Sequence, residues 1–201
     1  MHHPTYFRRV TATAAAAALV LAMSACSTSE EGGGGNGFND ADVDFASDMI
    51  QHHAQALEMV DLTLGRDLDP EVAALAEDIR AAQAPEIETM ADWLEDWDEP
   101  VPATSRDHAN AHAEDHGGGG AMDEDMPGMM SAEQMTSLED APEGEFEDLW
   151  MQMMIEHHEG AIEMAQTVLD EGESKKVSTL AKDVVETQQG EISTMQSLLE
   201  S

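Results

Sequence analysis

Met49-Ile50-Gln51-His52-His53-Ala54-Gln55-Ala56-Leu57-Glu58-Met59 returns 105 positions later as Met154-Ile155-Glu156-His157-His158-Glu159-Gly160-Ala161-Ile162-Glu163-Met164. The correspondence continues without a gap: Leu64, Val72, Leu75, Ala76, Asp78, Gln83, Glu86, Ile87, Thr89 and Met90 recur as Leu169, Val177, Leu180, Ala181, Asp183, Gln188, Glu191, Ile192, Thr194 and Met195. Agreement at one offset over roughly forty positions marks an internal duplication. Because it preserves histidines, methionines and a Gln/Glu pair as well as core aliphatics, a functional site between the two halves is expected.

Each copy reads as two helices. At about 100° per residue, Ala46, Ile50, His53, Leu57, Val60 and Leu64 form one apolar stripe, and Met151, Ile155, His158, Ile162, Ala165 and Leu169 form its equivalent. The second histidine of each pair therefore faces the core. His52 and His157 are expected about 100° round, on a flank with Met49, Ala56 and Met59, or with Met154, Ala161 and Met164, where replacing them would leave stability almost unchanged. Asn39 or Asp40 is a candidate N-cap for the first helix, and Asp69-Pro70-Glu71 reads as an N-cap followed by proline at the first helical position. In the second helices, Val72, Leu75, Ile79, Gln83, Glu86 and Met90 share one narrow stripe, as do Val177, Leu180, Val184, Gln188, Glu191 and Met195. A glutamine and a glutamate within an apolar face need partners. The inward histidines are the obvious ones, in two related sets: His53, Gln83, Glu86 and His158, Gln188, Glu191.

The expected architecture is all-α, one four-helix bundle of two hairpins related by a pseudo-two-fold axis. Repeat 1 covers 39–98 and repeat 2 covers 144–201, both in one domain. The intervening 99–143, rich in Pro, Gly, Asp, His and Met, reads as a linker that buries no core of its own, and its stretch to about Ser131 is expected to be poorly ordered without metal.

The N-terminus reads as an export signal over 1–25: Arg8 and Arg9, an apolar run from Val10 to Ala22, then small residues. That run is too short to span a bilayer as a folded helix. Met23-Ser24-Ala25-Cys26 resembles a lipobox, with Met where Leu is usual. Lipidation at Cys26 and a flexible tether over 26–38 are expected, which would hold the domain at the outer face of the cell membrane through a lipid anchor; without lipidation the chain would be secreted. Cys26 is the only cysteine, so no disulfide framework or Cys-based zinc site exists. The formal net charge of −35 repels nucleic acid and attracts cations. Self-association into a homo-oligomer stays open.

Metal chemistry in such a chain must use His, Met and carboxylates. The buried His/Gln/Glu sets read either as a satisfied polar network or as ligands for Zn, Cu, Fe or Ni. The i,i+3 pairs Met49/His52 and Met154/His157 set a thioether beside an imidazole, a donor set that suits copper, Cu(I) in particular; the plain alternative is methionine as core filler. The linker adds His108, His112 and His116 spaced by four, then Met122, Met126, Met129, Met130 and Met135, a compositional sign of metal capture. No nucleophile elbow or phosphate loop is present, and neither copy carries the Glu-x-x-His pattern of ferritin-like di-iron sites at the corresponding place.

Met-Ile-x-His-His-x-x-Ala-x-x-Met at Met49 to Met59 and Met154 to Met164, with Gln-x-x-Glu-Ile at Gln83 to Ile87 and Gln188 to Ile192, resembles the bacterial secreted domain-of-unknown-function family numbered three hundred and five. The resemblance implies a ferritin-like four-helix bundle and, since some members bind copper, copper handling. Carried over by residue, the implied ligands are Met49, His52, His53, Met59, Met154, His157, His158 and Met164, with Met126, Met129 and Met130 of the linker; Glu86 and Glu191 join them from the buried sets. The leading expectation is an extracytoplasmic copper buffer or chaperone without turnover, with another divalent transition metal as the alternative cargo. A ferritin-like metal-dependent redox enzyme and a metal-free structural or interaction domain are the competing readings.

Overall fold

The computed structural model describes residues 37–104 and 126–201. The export signal, Cys26, the tether up to residue 36, His108, His112, His116 and Met122 lie outside the described residues. Five helices run through the remainder: α1 (Asp40–Asp61), α2 (Pro70–Asp96), α3 (Ala132–Glu139), α4 (Glu143–Glu171) and α5 (Lys175–Leu199). The fold is all-α, a four-helix bundle with one short added helix. No described helix is long and apolar enough to cross a membrane.

The caps explain where the helices start. Asn39 and Asp42 form a capping box on α1, and Asp69 caps α2 with Pro70 in the first turn, so the orphan N–H groups of both helices find acceptors. Asp42 has a second task. Its Oδ2 also accepts the N–H groups of Glu173 and Ser174, each at 3.0 Å, tying the α4–α5 turn to the start of α1. The duplication repeats the device. Glu147, equivalent to Asp42, accepts the N–H of Asp69, equivalent to Ser174. Each hairpin thus holds the turn of the other, which is the pseudo-two-fold axis in physical form.

α1 packs against α2, α4 against α5, and α1 against α4 at the centre of the bundle. The core has two apolar clusters. One joins Ala56, Met59 and Val60 of α1 with Val72, Leu75 and Ile79 of α2 and Phe146, Trp150 and Met154 of α4. The other joins Phe45, Ala46, Met49 and Ile50 of α1 with Met90 and Leu94 of α2, Ala161, Ala165 and Val168 of α4, and Val177, Ala181 and Val184 of α5. Since the end of α1 meets the start of α4 and the reverse, these central helices are antiparallel. The buried polar residues His52, His53, Gln83, His157, His158, Gln188 and Glu191 belong to neither cluster.

Three expectations are corrected. First, His52 and His157 do not sit on an accessible flank; both are fully buried, because each central helix is covered by its hairpin partner on one side and by the other central helix on another. A single-stripe reading of the helical phase cannot register that second interface. Second, part of the stretch read as linker is structured. A capping box of Ser131 and Gln134 starts α3, and Met129, Met130 and Leu138 are buried. The segment builds no core of its own but joins the one made by the bundle. Arg66 fastens it, donating to the carbonyls of Glu139 and Ala141 while its guanidinium lies 3.8 Å from the centre of the Phe146 ring. Third, Leu64 is 65% exposed, because α1 ends at Asp61 and the following turn carries it outward.

Candidate metal centre

The buried carboxylate pairs form in both copies. His53 Nε2 lies 2.7 Å from Glu86 Oε2, and His158 Nε2 lies 2.7 Å from Glu191 Oε2. Each histidine reaches across its hairpin, and each carboxylate keeps a little exposure, 17% and 11% of the side chain. An imidazole whose Nε2–H is held by a carboxylate presents Nδ1 as its free lone pair, the arrangement that orients metal-ligating histidines. In both rings Nδ1 is buried without a hydrogen-bond partner. The glutamines do not join them. Both polar atoms of Gln83 and Oε1 of Gln188 are buried and unpartnered, so the expected His/Gln contacts are not made.

The other two histidines meet each other across the α1–α4 contact. The His52 and His157 rings lie 3.8 Å apart between centroids, tilted by 41°. Burial pushes the His52 ring down to about 3, reinforced by His53 and His158 and opposed by the Pro127 hydrogen bond. His157 is held well below the ordinary histidine value, by burial first and then by His52, His158 and His53; the nearby His52 backbone opposes, but it lies outside hydrogen-bond geometry and satisfies neither ring nitrogen. Both rings are therefore neutral at physiological pH, the state in which imidazole ligates metals. His52 Nε2 donates to the Pro127 carbonyl at 3.0 Å, which leaves Nδ1 as a bare acceptor. Nδ1 of His52 and both nitrogens of His157 have no hydrogen-bond partner. Four buried imidazoles with unsatisfied nitrogens would be a costly way to fill a purely structural core.

Above this pair runs the segment Met126-Pro127-Gly128-Met129-Met130. Gln55 on α1 grips it with two hydrogen bonds, Nε2 to the Met130 carbonyl at 2.8 Å and Met130 N–H to Oε1 at 2.7 Å. On α4 it rests on backbone. A Cβ on Gly160 would stand 2.0 Å from the Pro127 carbonyl oxygen, and one on Gly128, whose φ is +74°, would stand 2.7 Å from the Glu156 carbonyl oxygen. Glycine is required at both positions for the segment to lie this close. On its outer side Pro127 lines a cleft of about 480 Å³ together with Asp40, Asp44, Asp48, Phe45, Glu163 and Met164.

The predicted thioethers divide by place. Met49, Met59 and Met154 are fully buried, Met129 and Met130 are nearly so, and Met126 and Met164 are half-buried. Met59, Met130 and Met154 belong to one apolar cluster and Met49 to the other, so they are not gathered at a single point. Among the described residues no three His, Cys, Asp or Glu side chains come together as a metal-holding group. Two facing neutral imidazoles with free nitrogens fit a soft ion of low coordination better than the four-ligand sphere of structural zinc. Gln55, Gly128, Gly160 and Arg66 were not singled out from sequence. The available signal was the pair Gln55/Gly160, equivalent positions at which the duplicated motif breaks.

The fold has counterparts among known structures. A DUF305 fragment from Deinococcus radiodurans is similar to the chain at 32% identity and a TM-score of 0.65, covering 81% of this chain and 97% of that one. A DUF305 protein from Streptomyces coelicolor matches at 33% identity and a TM-score of 0.64, covering 80% of this chain and 92% of that one. CopM in its Cu(II)-bound form matches at 28% identity and 0.62, covering 79% and 95%, and CopM has also been solved in Cu(I)-bound and Ag-bound forms. No curated protein matches the chain. The model of the domain of unknown function DUF305 matches residues 42–199, and the chain belongs to that family.

Proposed function

We propose that this chain is an exported copper-binding protein that buffers or passes on Cu(I) without catalytic turnover, held at the outer face of the membrane by a lipid on Cys26. The observation that carries the reading is the buried, neutral His52–His157 pair, with imidazole nitrogens that no protein group satisfies. His52 and His157 are the proposed ligands of one ion; Nδ1 of His53 and His158, oriented through Glu86 and Glu191, and the thioethers of Met49, Met59, Met154, Met164, Met126, Met129 and Met130 are proposed as further copper contacts at separate places along the bundle. The acidic cleft beside Pro127 and the net charge of −35 would concentrate cations near the pair. Similarity to a protein solved with copper and silver supports the same class of cargo.

The test is titration of the protein with Cu(I) against a competing chelator, for the parent and for the double variant His52→Ala, His157→Ala. The double variant is expected to lose at least about tenfold in affinity, the equivalent of roughly 1.4 kcal/mol. Equal affinity would move the ligands elsewhere in the chain, and no binding tighter than micromolar in the parent would leave a structural domain. The His53–Glu86 and His158–Glu191 hydrogen bonds specifically favour that second reading for their half of the site. Oxygen consumption by the copper-loaded protein would instead support a redox enzyme.

A further inference from the structure

The two motif copies supply equivalent histidines, yet the rings are not in equivalent states. His52 Nε2 is engaged by the Pro127 carbonyl, whereas both nitrogens of His157 are free of hydrogen bonds. The difference arises from residues 127–130, which cross the α1–α4 contact and have no counterpart in the duplication. Gln55 and Gly160 stand at matching positions and do opposite things for that crossing. Gln55 holds Met130 through both atoms of its amide, and Gly160 clears the space that the Pro127 carbonyl occupies. Pro127 both lines the acidic cleft and meets the His52 ring through its carbonyl.

We propose that residues 127–130 form a lid over the His52–His157 pair, with Gln55 as its latch and Gly160 as its seat, and that an arriving soft cation competes with the Pro127 carbonyl for His52 Nε2. The inference rests on the copper reading and adds a loading step to it. With the lid closed, both nitrogens of His157 are open, whereas His52 offers Nδ1 alone because Nε2 is covered. Engaging both rings on the lid side requires the His52–Pro127 bond to break and the N–H proton to leave Nε2 or move to Nδ1. Gln55 and Gly160 are positioning residues in this scheme, since neither needs to touch the ion.

The experiment uses the full-length chain and two variants, Gln55→Leu and Gly160→Ala. Its readouts are hydrogen exchange at the Met130 amide and the rate at which Cu(I), supplied from a chelator, perturbs the ring resonances of His52 and His157. In the parent, saturating Cu(I) is expected to speed Met130 exchange at least about tenfold as the lid opens. Gly160→Ala should do the same without metal, because its Cβ would displace the Pro127 carbonyl. Both variants should load the His pair about tenfold faster than the parent, the order expected when Gln55→Leu removes its two buried hydrogen bonds to Met130 and Gly160→Ala displaces the carbonyl that engages His52. Should Gln55→Leu fail to fold, Gly160→Ala carries the test alone, alanine being the better helix former. A Met130 amide that keeps its protection at saturation, or folded variants that load at the parental rate, would overturn the lid while leaving copper binding intact. A parent whose ring resonances ignore Cu(I) would overturn the copper reading and the lid with it.

Discussion

His157 and His158 are neighbours in sequence and opposites in energetics. His158 is matched to Glu191, so His158→Leu leaves a carboxylate in the core without its donor and is expected to cost about 1–3 kcal/mol. His157 has no hydrogen bond to lose, so His157→Leu, of similar size, should leave stability within about 1 kcal/mol of the parent or raise it. Urea denaturation of the two variants measures the contrast, and equal losses would mean that the His157 ring is satisfied after all. The same burial sets a pH dependence. Unfolded histidines take up protons below 6.5, but the folded His52 does so only at about 3, so stability present in full above 6.5 falls as the pH drops through that window. The slope is about 1.4 kcal/mol per pH unit for each such ring, and His157 contributes with the same sign. Protonating surface carboxylates relieves repulsion and acts the other way. The comparison that isolates the rings is therefore the double variant His52→Leu, His157→Leu, whose urea midpoint should decline less between pH 6.5 and 4.5 than that of the parent.

Helices α2 and α5 carry a weak helix former at the same place in each copy, Pro85 and Gly190, one residue before the glutamate that meets the histidine. Gly190 is exposed, and a Cβ there would meet nothing. Gly190→Ala is accordingly expected to stabilise the protein by about 0.5–1 kcal/mol, read as a rise in the thermal midpoint. No gain would indicate that α5 uses the freedom of glycine to place Glu191. The contrast with Gly160 shows how far context governs an element: both glycines lie inside helices, but only Gly160 has another backbone against it. Local pattern is enough for the helix starts at Asn39 and Asp69, since caps act over three or four residues. It does not reveal α3, whose eight residues show little apolar periodicity and whose Leu138 is buried only because the bundle receives it.

For the molecule as a whole, a net charge of −35 means that folding brings many like charges together. Added NaCl should therefore raise the thermal midpoint by a few degrees between low and near-molar salt, through screening, and a flat or falling midpoint would show that pairings such as Arg80–Asp61 already offset the repulsion. The bundle, its duplication and the pairing of His53 with Glu86 and of His158 with Glu191 were legible in the chain, because helical periodicity and the cost of an unpaired buried carboxylate are local constraints written into residue spacing. The state of His52 and His157 was not. One helix's phase describes a single buried stripe, whereas their burial comes from α1 meeting α4, and the His52 ring also meets the carbonyl of Pro127, 75 residues away in sequence. Facing rings, shared desolvation and the competing Pro127 carbonyl are relations between distant parts of the chain, and they exist only once those parts pack.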